Sequence, residues 1–380
     1  MYSSGMFFVY LFSSALAFAL VNRVLRHRLT WLSALSVLTA LGWGYIFQDD
    51  YIVPVAVFFS FYVFATLKEK GWLKTWQAVV LTLLPLLLVK LHLNNHWGMI
   101  GLSFMTFRAL DVLLYRSKKE GQNFLHYFCY LFMPFIILAG PMYRWRTWMS
   151  DVSKPVFALN REQFLVALEQ IITGIVQKFL FAMLIDSLVV QPWSHKPFTL
   201  TVGVVMSIAY STYLYFDFAG YSNMAIGAGR LFGLNIPANF NMPLLAKNPQ
   251  DFWRRFHISL SEWLRDVVFM PVYMNLMKFN FFRQNKTLAQ NIGIFCTLFC
   301  MGAWNGLERH YVISGALFGA ISVAHNMLLW SAKRSPALHR GLQYPAVAFL
   351  GRILTLGSAA GSLYILSLIH ISEPTRPRLI

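Results

Sequence analysis

Apolar runs recur along the chain at 6–21, 32–47, 51–67, 76–93, 98–115, 124–139, 163–190, 199–216, 289–303, 311–330 and 344–369. A helix rises about 1.5 Å per residue, so runs of roughly 15 to 25 residues span, or nearly span, the ~30 Å hydrocarbon core of a bilayer. In lipid every backbone polar group must pair within the protein, which restricts such runs to helices. The expected fold is therefore an all-α polytopic membrane protein with about ten or eleven membrane segments, some of them re-entrant. With 57% hydrophobic and 12% charged residues and a mean hydropathy of +0.53, the 380 residues do not read as two or three soluble domains.

A net charge of +17 raises the question of nucleic acid. The basic residues, however, lie in short loops between apolar runs, where positive-inside bias and anionic membrane lipids account for them, so no nucleic-acid partner is expected. The first run is followed by Arg23, Arg26, His27 and Arg28 and preceded by nothing basic, the reverse of a secretory signal, which places the amino terminus outside. Counting on, QDDY (48–51) falls outside, KEKGWLK (68–74) inside, LNNHWG (93–98) outside and YRSKKEG (115–121) inside. The next run would carry Arg144 and Arg146 to the outer face, so either 124–139 turns back within the membrane or the charge rule fails there.

Cys129, Cys296 and Cys300 all lie within apolar runs, and no His-plus-Cys spacing resembles a zinc site; buried small hydrophobes and no metal are expected. HISEPTRPRLI (370–380) turns abruptly polar and proline-rich, resembles translated sequencing-adapter read-through, and is set aside as a non-native tail. The remainder divides into amino-terminal transmembrane helices (1–97), a core (98–330) and a carboxyl-terminal membrane segment (331–369).

Charge is concentrated in one place. DFWRRFHISLSEWLRDVVFMP (251–271) carries three arginines, three acids and a histidine. On a continuous helix, Trp253, Phe256, Leu260, Trp263, Leu264 and Val267 form an apolar stripe with His257 at its border. Arg254, Ser261 and Arg265 lie beyond the histidine, while Arg255, Glu262 and Asp266 can neutralise one another on the other flank. An interfacial helix with arginines at lipid phosphates is one reading. The other follows from the expense of ionisable groups at membrane depth, which usually face a cavity, a partner or a substrate. NIPANFNMPLLAKNPQDFW (235–253), with three prolines and four asparagines, favours the second, because irregular backbone at depth is tolerated only where protein or water lines it. Upstream, YLYFDFAGYSNMAIGAGRLFG (213–233) sets Asp217 in an aromatic run, where it needs a donor; an arginine of the 251–271 helix is one candidate, and a purely structural role is the alternative.

YFDFAGYSNMAIG (215–227), NFNMPLLAKNPQDFWRRFHISLSEWLRDVVFMP (239–271), GLSFMTFRALD (101–111) and GPMYRWRTW (140–148) together resemble the membrane-bound O-acyltransferase family. Within it, TFR and FMP look most like the D-alanyl-transferring branch, with alginate-type O-acetylases second. The resemblance implies a ring of tilted helices around a tunnel and an acyl-thioester donor arriving from the cytoplasm. It also implies two histidines as the usual catalytic candidates, one in the arginine helix and one in a Trp-His-Gly motif some fifty residues on. His257 matches the first. At the second, CMGAWNGLERHYVISG (300–315) has Asn305 where histidine is expected. A carboxamide can orient or donate hydrogen bonds but is no base near neutral pH, whereas imidazole is. Either His257 is the base and Asn305 polarises the thioester carbonyl, or His310 takes the base role, or the chain is a non-catalytic scaffold or conduit.

What the resemblance implies for function is O-acyl transfer, with D-alanine moving from a phosphopantetheinyl carrier protein toward a teichoic acid or similar envelope polymer at the bacterial cytoplasmic membrane, and no bound cofactor. Trp304 and Asn305 are candidates for stabilising the oxyanion, and Asp217, Trp253 and Ser261 for lining the tunnel. An acidic carrier would dock on Lys118, Lys119, Arg144, Arg146, Arg254 or Arg255, each of which has phosphate contact or topology as its bland alternative. Other envelope-modification proteins of the same pathway are implied partners. A transporter shares the polytopic character and broken helices, but no internal duplication is detectable.

Overall fold

A computed structural model describes residues 39–40, 42, 52–93, 101–116, 123–153, 161–197 and 199–372. Its regular structure is helical, apart from one isolated antiparallel bridge between Phe240 and Phe256. Among the described residues five helices are long and apolar enough to cross a membrane: Ile52–Glu69 (α1), Arg161–Ser194 (α6), Leu200–Leu231 (α7), Arg309–Ala332 (α13) and Pro345–Ile365, the last within a helix Pro345–Ser372 (α15). The protein is an all-α polytopic membrane protein. The runs expected at 6–21 and 32–47 lie outside the described residues, apart from isolated positions in the second.

The chain forms two compact units, residues 1–175 with 221–237, and 176–220 with 238–380. In the first, Thr75–Lys90 (α2) is a shorter apolar helix that tolerates Pro85 in its interior, as membrane helices often do. Leu102–Tyr115 (α3) is buried almost throughout, including Thr106, Arg108 and Asp111. Charge at such depth requires partners. Arg108 Nη1 donates to Tyr130 O at 2.9 Å, and Asp111 accepts from Arg144 Nε and from the Trp145 amide, both at 2.7 Å.

The run at 124–139 does not cross. Phe124–Leu131 (α4) has only 8 residues, and the chain continues through turns to Gly140, where the positive φ of 79° suits glycine and a Cβ would meet the Phe104 ring at 2.6 Å. Trp145–Val152 (α5) then brings Arg144 and Arg146 to the Tyr115 ring at the carboxyl end of α3, at 4.8 and 5.7 Å. Of the two alternatives open in the sequence, the segment turns back to the end of α3 that it left.

In the second unit, the short helices Asn280–Gln284 (α11) and Pro336–Gln343 (α14) flank a pair in which Lys286–Ala303 (α12) packs on α13 through glycines. A Cβ on Gly302 would lie 2.5 Å from Gly315 Cα, and one on Gly319 would lie 2.8 Å from the Phe295 ring. Small residues allow this close backbone approach in the absence of a hydrophobic drive between membrane helices. The first part of α7 belongs to this unit and presents Phe218 to the segment that carries His257.

Candidate active site

The stretch 238–258 is irregular because its sequence blocks helix. Pro243 and Pro249 remove backbone donors, Met242 sits at φ 44°, and Pro249–Trp253 (α8) lasts five residues, its start capped by Asn248 Oδ1 accepting from the Asp251 amide at 2.9 Å. The two ends of the stretch are clamped together. Asn241 N donates to Arg255 O and Ile258 N to Asn239 O, each at 2.9 Å, on either side of the Phe240–Phe256 bridge. Ser259 Oγ donates to Asn239 Oδ1 between buried partners.

His257 lies inside this clamp in the left-handed conformation, φ 50° and ψ 47°, at the position just before Ile258–Leu264 (α9), without a side-chain capping hydrogen bond. The continuous helix expected over 251–271 is therefore broken at the histidine, and the apolar stripe drawn through it does not exist as one face. Beyond α9 the chain passes through a π-helical stretch, Arg265–Phe269, into Met270–Leu276 (α10). A non-glycine residue in this region carries on the order of 1–2 kcal/mol of strain, which persists only where the surroundings impose it. Here they do: the backbone on both sides is hydrogen-bonded to 239–241, and the Phe218 ring meets the imidazole edge-to-face at 4.8 Å. Phe240 in turn packs edge-on against Phe218 and Phe256.

The imidazole is 7% exposed, and its Nδ1 has no hydrogen-bond partner among the described residues. His257 lies outside the five membrane-crossing helices, and burial lowers its pKa to about 3. The ring is thus neutral at physiological pH, which leaves one ring nitrogen able to accept a proton, while the same burial makes it a weaker base than a solvated imidazole.

The other expected ion pairs are rearranged. Arg254 and Arg255 both turn to Asp251, at 3.5 and 3.1 Å, and Arg265 pairs with its neighbour Asp266 at 3.2 Å, in place of the Arg255–Glu262–Asp266 set. Burial raises the Asp251 pKa, but the Lys247 amide and the two guanidiniums outweigh it and hold the carboxyl below its ordinary range. Asp217 pairs with Lys178 of α6, not with an arginine. Lys178 was legible as a lone cation in the apolar run 163–190 and is the residue that sequence reasoning passed over.

Trp253 packs edge-on against Phe318 of α13, their centroids 4.7 Å apart, which ties the segment before His257 to the helix after Asn305. Ser261 Oγ is buried without a partner among the described residues. Trp304 and Asn305 occupy the turn between α12 and α13, where Asn305 Nδ2 donates back to Met301 O at 3.2 Å. A Cβ on Gly306 in that turn would collide with Glu308 Oε2 and the Tyr311 ring, at 2.2 and 2.3 Å. His310 lies in the first turn of α13, with its ring 3.9 Å from that of Tyr311 and its Nε2 buried without a partner among the described residues. Of the candidate docking cations, Arg144 is engaged by Asp111, Arg146 and Arg254 are exposed, Arg255 is half-buried, and Lys118 and Lys119 lie outside the described residues.

Residues 25–355 match the family model of MBOAT, the membrane-bound O-acyltransferase family. The teichoic acid D-alanyltransferase of Bacillus subtilis (strain 168) is 31% identical over 279 residues, 67% of this chain and 69% of that protein. The protein of the same name from Streptococcus thermophilus is 32% identical over 262 residues, 63% of this chain and 60% of its own length. A probable alginate O-acetylase AlgI from Pseudomonas aeruginosa is 29% identical over 223 residues, 58% of this chain and 41% of that one.

Proposed function

Because the chain belongs to the membrane-bound O-acyltransferase family, which makes it an acyltransferase, we propose that it moves a D-alanyl group toward an envelope polymer of the teichoic acid type. The donor in this reading is a thioester on a phosphopantetheinyl carrier protein at the bacterial cytoplasmic membrane, and other proteins of the D-alanylation pathway act beside it. The names of the relatives support the acyl group and the acceptor class.

His257 is the base, and its buried, neutral imidazole, whose Nδ1 has no hydrogen-bond partner among the described residues, is the observation that carries the assignment. The acceptor hydroxyl attacks the thioester carbonyl while the imidazole takes its proton. The C–S bond of the tetrahedral intermediate then breaks, and the proton passes to the departing thiolate. Trp304 and Asn305 supply donors toward the oxyanion. With Asn305 standing where the family resemblance expects histidine, a single imidazole carries the proton traffic, and His310 is the alternative base. Asp217, Trp253 and Ser261 belong to the supporting wall.

Membranes given labelled D-alanyl carrier test this with His257→Ala, Asn305→His and His310→Ala. Loss of a base typically lowers rate by about 10² to 10⁴, and that loss is expected for His257→Ala alone. Full transfer by His257→Ala removes the assignment, and loss in His310→Ala instead moves the base there. The alginate O-acetylase relative favours a second reading, acetyl transfer to a polysaccharide, and labelled acetyl donor in the same membranes separates the two. Uptake of substrate without chemical change indicates a conduit.

A further inference from the structure

Lys178 and Asp217 form an ion pair between two membrane-crossing helices, α6 and α7. Charge in this setting is expensive and persists where it is paired and has work to do. Lys178 also falls in a π-helical stretch of α6, Gln177–Ala182, a local widening that recurs at functional sites. One turn along the same stretch, Phe181 packs on Phe216 with centroids 5.1 Å apart, so charge and aromatic contact grip α7 at consecutive positions, 216 and 217. The next residue is Phe218, whose ring holds the His257 imidazole edge-to-face at 4.8 Å.

From this sequence of contacts we infer that Lys178 and Asp217 are positioning residues: their ion pair sets the rotation and height of α7, which seats Phe218 against the imidazole of His257. Consecutive helical residues point about 100° apart, so a grip at 217 also fixes the direction in which 218 points. The pair acts on the orientation of the base and not on substrate affinity. Misplacing a reacting group by about 1 Å can lower rate on the order of 100-fold.

The inference rests on the reading of His257 as the base, and its test keeps the two apart. Full-length Lys178→Met, Asp217→Asn, Asp217→Glu, Phe218→Leu, the exchange Lys178→Asp with Asp217→Lys, and His257→Ala are assayed with labelled D-alanyl carrier at equal amounts of monodisperse protein. Lys178→Met and Asp217→Asn are expected to lower kcat on the order of 10- to 100-fold with KM for carrier and acceptor unchanged. The exchanged pair recovers most of the loss, Asp217→Glu outperforms Asp217→Asn, and adding Phe218→Leu to Asp217→Asn lowers kcat little further, because both act through one ring. Unchanged kcat in both single variants overturns the inference, as does a loss confined to KM, which means direct substrate contact. Full additivity of Asp217→Asn with Phe218→Leu also overturns it. If the exchange fails to fold, Asp217→Glu no better than Asp217→Asn decides against it. His257→Ala with full transfer defeats the base assignment, and silent pair variants beside an inactive His257→Ala defeat the positioning role alone.

Discussion

At His257 the backbone and the side chain make separable demands. The left-handed conformation costs a histidine on the order of 1 kcal/mol and glycine almost nothing. His257→Gly is therefore expected to fold at least as well as the parent, with an unchanged or higher Tm in detergent, while transfer falls with loss of the imidazole. A lowered Tm would show that the ring's packing against Phe218 outweighs the strain it imposes. The protonation state gives a second prediction. Burial lowers the imidazole pKa from 6.5 to about 3, so lowering the pH from 8 to 5 leaves the neutral, proton-accepting form intact. The kcat profile should show no acid limb from this group across that window. A limb centred near 6.5 would place the working imidazole in water. The histidine stood out in the sequence because an ionisable residue flanked by arginines is anomalous in an apolar chain. Its strained backbone did not, since no glycine or asparagine marks the position, and the partner of Asp217 depends on a tertiary contact that helical spacing does not encode.

Among elements, long apolar runs read well and interruptions read poorly. The runs at 51–67, 311–330 and 344–369 correspond to helices long and apolar enough to cross, because length and hydropathy alone decide them. The 251–271 stretch has helical periodicity on both sides of a break, and periodicity is blind to one left-handed residue. Its π-helical continuation is equally silent, since no residue type demands it. The glycines between α12 and α13 were visible only as composition, yet they set the distance between the two helices. Gly302→Val must displace Gly315 backbone 2.5 Å away, and overpacking of that kind costs about 1–3 kcal/mol. A lower Tm is expected, together with reduced transfer, because the turn between these helices holds Trp304 and Asn305. Gly357→Ala, where a Cβ meets nothing within 4 Å, is the matched control and should leave both unchanged. Equal Tm values for the two variants would mean that α12 and α13 separate without penalty.

For the whole molecule the question is which face would meet the proposed carrier, and the answer turns on a contact that the sequence could not supply. Charge counting left Arg144 and Arg146 on either side of the membrane, depending on whether 124–139 crosses. The 8-residue α4 and the return of both arginines to Tyr115 put them at the same end of α3 as Arg116. By the positive-inside rule that end is cytoplasmic, the side on which the acidic carrier of the proposed reaction would meet basic side chains. Two consequences follow from one geometry. Arg146→Cys, with Cys129, Cys296 and Cys300 replaced by Ser, should react with a membrane-impermeant maleimide only when the cytoplasmic face is opened. Labelling of intact cells would reverse the orientation and remove Arg146 from any carrier site. The two arginines should also part company on charge reversal. Arg146 is exposed, so Arg146→Glu should raise KM for carrier and leave kcat nearly intact. Arg144 donates to the fully buried Asp111 at 2.7 Å, so Arg144→Glu sets two carboxylates against each other and should lower Tm and the yield of folded protein before any effect on docking can be read. Similar kinetic effects from both variants, at unchanged Tm, would mean that the Asp111 pair contributes nothing to holding the turn-back in place.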